Sequence, residues 1–326
     1  DGPVEDALDV YDADMSAVCT EGLTPMIQVE EYYLLPGDEA VLKQALLDYG
    51  AIYVNMMYDA AFYNSTDYTY YYDGDLSTDH AVLLCGWDDN KVTAGGTGAW
   101  IIRNSWGDDW GENGYFYISY NDTKVNSTVG VFPGFSQIQD NKILHYYDEL
   151  AWIGSTGYGD ETAYGMTKFN TSSNEEIYAI GAFTNTAGTT VNIEVYDTKV
   201  DNDLSNMLAS AGPFYCEFPG YHKFDLPSSF ELEEGEDFYI KVQFNTPGYN
   251  YPVTYEKLSL DYAEPYIESG VCWISHSGTS WTQVGSDVEG KERDLCIRAF
   301  AYDLNISGIN ESTDNSPILY PQPAID

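Results

Sequence analysis

Residues 78–87 read TDHAVLLCGW, and residues 98–120 read GAWIIRNSWGDDWGENGYFYISY. Both stretches are rich in β-branched, aromatic and other apolar residues broken by Gly and Asp turns, which predicts short adjacent strands. AIYVNMMY from Ala51 and GYFYISYND from Gly114 extend the same pattern on either side. Upstream, Asp38 is placed to cap a helix that Gly50 would stop, with Leu42, Leu46 and Tyr49 on one face. This half is expected as one helix on a compact antiparallel sheet or barrel.

The two quoted stretches resemble the papain family of cysteine peptidases. That family has a strand beginning Asp/Asn-His-Ala-Val, then Trp-x-x-x-Lys/Arg-Asn-Ser-Trp-Gly, then Trp-Gly-Glu-Asn-Gly-Tyr. The resemblance implies that His80 is the catalytic imidazole and Asn104 the amide that orients it. It further implies that Trp106 shields their hydrogen bond and that Asp79 supports the histidine. A thiol attacks well only as thiolate, so it needs a base that takes its proton and stays close as a cation. An amide oxygen can orient that base without neutralising it, and an apolar cover strengthens the bond by excluding water. Taken alone, His80 is also readable as an ordinary half-buried strand histidine; the NSWG and GENGY context is what favours catalysis.

The resemblance places the nucleophilic cysteine in a Cys-x-x-Cys-Trp-like helix start, roughly 130–150 residues before the histidine. It is therefore expected upstream of Asp1, together with the glutamine of the oxyanion hole. Cys85 follows His80 in the same apolar strand and reads as a buried thiol, while Cys216, Cys272 and Cys296 fall in the second half. DVYDADMSAVC at 9–19 loosely fits the family's text before a half-cystine. That implies a bond from Cys19 to the nucleophile-bearing half, although a free or differently paired Cys19 is an open alternative. The expected partners are that upstream half, in a separate or missing chain, and a peptide substrate.

From about residue 134 the pattern resets. VNIEVYD at Val191–Asp197, FYIKVQF at Phe238–Phe244 and CIRAFAY at Cys296–Tyr302 alternate with period two, and no helical period shows over 143–303. Many short strands predict an all-β sandwich. HYYDELAWIGSTGYGDETAYGMTKF from His145, with the later FYIKVQFN, resembles the lectin-like sandwich that follows papain-type domains in some archaeal and bacterial surface proteins. The likeness implies that Tyr158, Tyr164, Trp273 and Trp281 could stack on sugar rings; the alternative is that they form sandwich core. Attachment to surface glycans and lateral self-assembly are both open. The expected organisation is 1–136 as the peptidase half, 140–303 as the sandwich and 304–326 as a polar, Pro-bearing linker or tail.

Composition narrows the remaining classes. Asp and Glu number 53 against 13 Lys and Arg, giving a net charge of −40, and the only arginines are Arg103, Arg293 and Arg298. Cations this thin and scattered argue against nucleic acid. The hydrophobic fraction of 44% supports real cores, and no apolar run reaches the ~18 residues of a spanning helix. The opening DGPVEDALDV has neither the basic start nor the apolar stretch of a signal peptide. Acceptor sequons stand at Asn64, Asn121, Asn126, Asn170, Asn305 and Asn310, and tyrosine is abundant at 30 residues. With the acidity, these suggest an extracellular or cell-surface location. No cofactor is expected; calcium on Asp197, Asp201 and Asp203 is the alternative to a solvated acidic turn. His145, His222 and His276 are dispersed without the H-E-x-x-H pattern of a zinc peptidase. Two functions stand against each other: an extracellular papain-like endopeptidase, and a surface structural or adhesive protein that kept the fold without the activity.

Overall fold

In the computed structural model, which describes residues 27–259 and 263–306, the apolar runs pair into sheets. The first part contains β1 (Ile27–Leu34), helix α1 (Glu39–Tyr49), β2 (Ile52–Met56), β3 (Tyr63–Asn64) and β4 (Thr69–Tyr70). It continues through β5 (His80–Thr93), β6 (Gly96–Arg103), β7 (Tyr115–Ser119) and β8 (Val129–Gln137). The strand order is β3-β4-β7-β6-β5-β2-β8-β1, an open sheet rather than a barrel. One pair departs from the antiparallel expectation: β4 runs parallel to β7, which the long intervening β5–β6 connection permits.

Helix α1 packs Leu42, Ala45 and Leu46 against this sheet. Gly50 closes it at φ +80°, its N–H bonding to the Leu46 carbonyl, whereas the Asp38 side chain makes no capping bond. Tyr49, expected on the buried face, is 41% exposed because it lies on the last helical position, past the edge of the packed stripe. Along β5, Val82 and Leu84 point into the core while Ala81 and Leu83 face out, as the pleat of a strand dictates. Fully buried Trp100, Phe116, Ile102 and Met56 complete this core.

The second part comprises β9 (Lys142–His145), β10 (Gly154–Thr156), β11 (Thr162–Asn170), β12 (Glu175–Thr184), β13 (Thr189–Val200), β14 (Asp203–Cys216) and β15 (Gly220–Leu232). Then follow β16 (Asp237–Asn245), β17 (Val253–Glu256), β18 (Cys272–Ser275), β19 (Thr282–Val284), β20 (Asp294–Leu295) and β21 (Ile297–Asp303). Two sheets, β15-β12-β21-β9 and β14-β13-β16-β11-β18-β19, face each other across a core that includes Ile177, Ile180, Val191, Ile193, Phe238, Ile240 and Ile297. A third, β10-β17-β20, lies at one end. The alternating runs read in the sequence supply the inward residues, and no α-helix occurs among the described residues beyond Tyr49.

The two parts share hydrogen bonds rather than a loose tether. β1 pairs antiparallel with β15 at Tyr32↔Tyr221 and Tyr33↔Gly220, so one sheet of twelve strands runs through both. Gly220 is needed there: its φ is +145°, and a Cβ would collide with the Tyr32 carbonyl oxygen. Around the joint, Tyr33 stacks on His222 at 4.8 Å, and Lys223 and Lys142 reach Glu30 at 3.1 and 3.7 Å. Burial pushes His222 down to about 4, so the stack is of neutral rings.

A pH dependence follows from β17 and β20. Glu256 stands directly opposite Asp294, and both side chains are fully buried. Glu256 accepts a bond from the Leu150 N–H at 2.5 Å and Asp294 one from the Glu268 N–H at 3.0 Å. Glu256 Oε1 and Asp294 Oδ1 have no partner among the described residues. Burial pushes both carboxyls up to about 7, with the Glu256 charge adding to the effect on Asp294 and the Asp148 charge to that on Glu256. Unfolded, such groups titrate near ~4, so the folded state holds extra protons between roughly pH 4 and 7. That stabilisation is complete below ~4 and is lost as pH rises through 7. Thermal melts should drop by several degrees from pH 5.5 to 8.5, and Glu256→Gln with Asp294→Asn should flatten this slope. An unchanged slope in the double variant would contradict the assignment.

Candidate active site

His80 begins β5, opposite Met56 at the end of β2. Asp79 fixes that strand start: its N–H bonds to the Met56 carbonyl at 3.1 Å, and its Oδ1 accepts from the Tyr58 N–H at 2.8 Å. Asn104 follows the last residue of β6, held by its own N–H on the Gly114 carbonyl at 2.9 Å. The two side chains meet, with His80 Nε2 2.9 Å from Asn104 Oδ1. The Ser105 N–H also donates to Oδ1, at 2.8 Å, and a backbone donor on that atom identifies it as the oxygen. An oxygen only accepts, so Nε2 carries the proton and Nδ1 of the neutral ring keeps its lone pair.

Aromatic rings enclose this bond. Trp106 stacks on His80, centroids 4.8 Å apart and planes 22° from parallel. Tyr58 meets Trp106 edge-on at 4.6 Å, and Trp110 meets it at 5.1 Å. Asn104 is buried while Trp106 is 43% exposed, so the amide is dry and the outer face of the indole is open. The turn carrying these residues is clamped by Arg103, which bonds to Asp108 at 2.5 Å and to the Asn113 carbonyl at 2.7 Å. The structure thus brings together His80, Asn104, Trp106 and Asp79. Tyr58 was not legible as a site residue: it ends the AIYVNMMY run, which reads only as a strand, and folding alone sets it against Trp106.

None of the described cysteines is a good nucleophile. Cys216, Cys272 and Cys296 are buried in the second part, and burial pushes Cys216 up to about 12 and the other two well up. Cys85, expected buried, is half-buried; its thiol is within 3.5 Å of the Leu83 carbonyl, and desolvation raises it as well. Cys19 lies outside the described residues.

Residues 3–132 match the model of the papain family cysteine protease, and residues 144–301 match that of the lectin like domain. The chain is papain-family sequence followed by a lectin-like domain. The clostridial cysteine protease Cwp84 after propeptide cleavage superposes over 92% of this chain and 79% of its own, with a TM-score of 0.79 and 19% identity. A structure of the cysteine protease and lectin-like domains of Cwp84, a surface layer associated protein of Clostridium difficile, covers 92% and 70% at TM-score 0.73 and 18% identity. At these identities the likeness establishes the fold. Vignain of Phaseolus vulgaris is 40% identical over 75 residues, 22% of this chain and 19% of that protein. Cathepsin K of Mus musculus is 36% identical over 98 residues, 29% of this chain and 28% of that protein. The chain therefore spans less than a third of the length of either curated relative.

The other sequence-derived residues lie away from this site. Tyr164 is covered by Lys241 at 5.4 Å and by Gly278, where even a Cβ would sit 2.8 Å from the ring. Trp273 carries Lys199 over its ring at 4.5 Å, and Trp281 is half-buried with its indole N–H without a partner among the described residues. Tyr158 is 42% exposed. Asp197, Asp201 and Asp203 fall at the β13–β14 hairpin, and among the described residues no group of three or more His, Cys, Asp or Glu converges as a metal centre. Of the acceptor asparagines, Asn64, Asn121, Asn170 and Asn305 are exposed and Asn126 is half-buried. The side-chain nitrogens of Asn121 and Asn170 already donate, to the Gly95 and Gly235 carbonyls. Asn310 lies outside the described residues.

Proposed function

We propose that this chain supplies the His–Asn half of a cell-surface papain-like cysteine endopeptidase, completed by a thiol from a segment preceding Asp1, in the same or a separate chain. The observation that carries this is the 2.9 Å bond from His80 Nε2 to Asn104 Oδ1 beneath Trp106. With Nε2–H engaged, Nδ1 takes the proton of an approaching thiol, and the imidazolium stays beside the thiolate. The thiolate attacks the peptide carbonyl, the C–N bond breaks, and the leaving amine takes the imidazolium proton. Water then hydrolyses the thioester with the same ring as base.

Two further features favour completion by another segment. Asn104 Nδ2 is buried with no acceptor among the described residues. Trp106 stacks on His80 and yet is 43% exposed, apolar surface of the kind that a second lobe buries. In this reading residues 1–136 are the peptidase half, 140–303 the lectin-like unit and 304–326 a tail. The lectin-like unit holds the enzyme to a glycan-bearing surface, consistent with the acidity and the exposed sequons.

Hydrolysis of a fluorogenic peptide under reducing conditions tests the proposal. The protein with its preceding segment should cleave, and the 326-residue chain alone should not. A complete protein that folds, binds a surface and leaves every peptide intact would favour the adhesive reading instead.

A further inference from the structure

A cavity of about 330 Å³ opens on the lectin-like domain beside the end of β10. Buried Ile274 and Val284 line it together with Tyr158, Thr282, Lys291 and Arg293, among others. This size is at the lower end of small-molecule sites, about 300–1,000 Å³.

The cations are the unusual part. In a chain of net charge −40 with 13 basic residues, two of them line this one hollow. The other two arginines each hold a carboxylate, Arg103 on Asp108 and Arg298 on Asp148. Arg293 holds none among the described residues: it lies over the Tyr255 ring at 4.6 Å, donates to the Gly290 carbonyl at 2.9 Å, and leaves its Nε without an acceptor. Lys291 has no carboxylate partner there either. Meanwhile Tyr158 is propped, its ring stacked on His276 at 5.5 Å, and His276 contacts Asp160 at 3.4 Å.

An exposed, propped ring suits the apolar C–H face of a sugar. The Glu292 carboxylate lies near enough to feel the Arg293 charge but makes no ion pair with it. Cations free of ion pairs suit an anion, and the protein's own field would repel that anion without them. We propose that this hollow binds an acidic sugar, a uronate whose ring lies on Tyr158 and whose carboxylate meets Lys291 and Arg293. The assignment rests on the saccharide-binding reading of the lectin-like domain and names its ligand class.

Calorimetric titration of the full chain with a galacturonate trimer and with a neutral galactose trimer tests it. The acidic trimer should bind at least ~10-fold more tightly, and more weakly as salt rises. Lys291→Gln should cost about 10-fold in affinity for the acidic trimer, the scale of one charge-assisted hydrogen bond, with the melting temperature unchanged. Equal binding of both trimers, or acidic binding indifferent to Lys291→Gln, overturns the acidic-sugar assignment while leaving saccharide binding intact. Binding of neither trimer overturns both.

Discussion

His80→Ala in the complete protein is expected to lower kcat/KM by at least ~10⁴-fold, since one ring serves as base for acylation, acid for the leaving amine and base for deacylation. Asn104→Ala should cost less, because the ring remains and only its tautomer and orientation are released. The two losses should not add, as both act through the same imidazole. A melt curve close to that of the parent would assign the effect to chemistry, since His80 is only half-buried. Steady-state hydrolysis of one peptide by the three variants checks this. Retention of most activity in His80→Ala would remove His80 from the reaction.

Arg298→Ala is expected to be the most damaging single change to the fold. Asp148 is fully buried, and Arg298 meets it with Nε at 3.0 and 3.1 Å from the two carboxylate oxygens and with Nη2 at 2.8 Å. Nη2 also donates to the Asp148 carbonyl at 3.1 Å, which ties the loop after β9 to β21. Removing the guanidinium leaves a carboxylate in a dry site, a cost of about 3–5 kcal/mol. For a unit of this size that is roughly 10 °C in melting temperature. Asp148→Leu with Arg298→Met should recover much of the loss, because no buried charge is then left unpaired. Calorimetry on the three proteins separates these outcomes; a double variant as unstable as Arg298→Ala would show that packing, not charge, is at stake.

How much of this was legible beforehand depended on how local each signal is. Runs of β-branched and aromatic residues between Gly and Asp turns identified β5, β6 and β7, and period-two runs identified β13, β16 and β21, because alternation is imposed by the pleat wherever one face is buried. His80, Asn104 and Trp106 were legible because the papain-like motifs that carry them, DHAV and NSWG, are continuous runs of sequence, although the bond joining them spans 24 residues. The β1–β15 junction was not: it brings Tyr32 against Tyr221, and nothing near either residue announces the other. The same holds for Glu256 opposite Asp294 and for Asp148 on Arg298, pairs made by strand register and loop placement rather than by a motif. Among the aromatics, composition could not separate Tyr158 from Tyr164. Exposure came from what folded over each ring, Gly278 and Lys241 in one case and a single backing histidine in the other.

In the proposed mechanism the thiol serving His80 comes from outside residues 27–306. Treating the complete, reduced protein with a thiol-directed epoxide and mapping the modified peptide tests it most directly. One labelled cysteine is expected, in the segment preceding Asp1, with labelling abolished by His80→Ala and with Cys85, Cys216, Cys272 and Cys296 unmodified. Stoichiometric, His80-dependent labelling of Cys85 would contradict it.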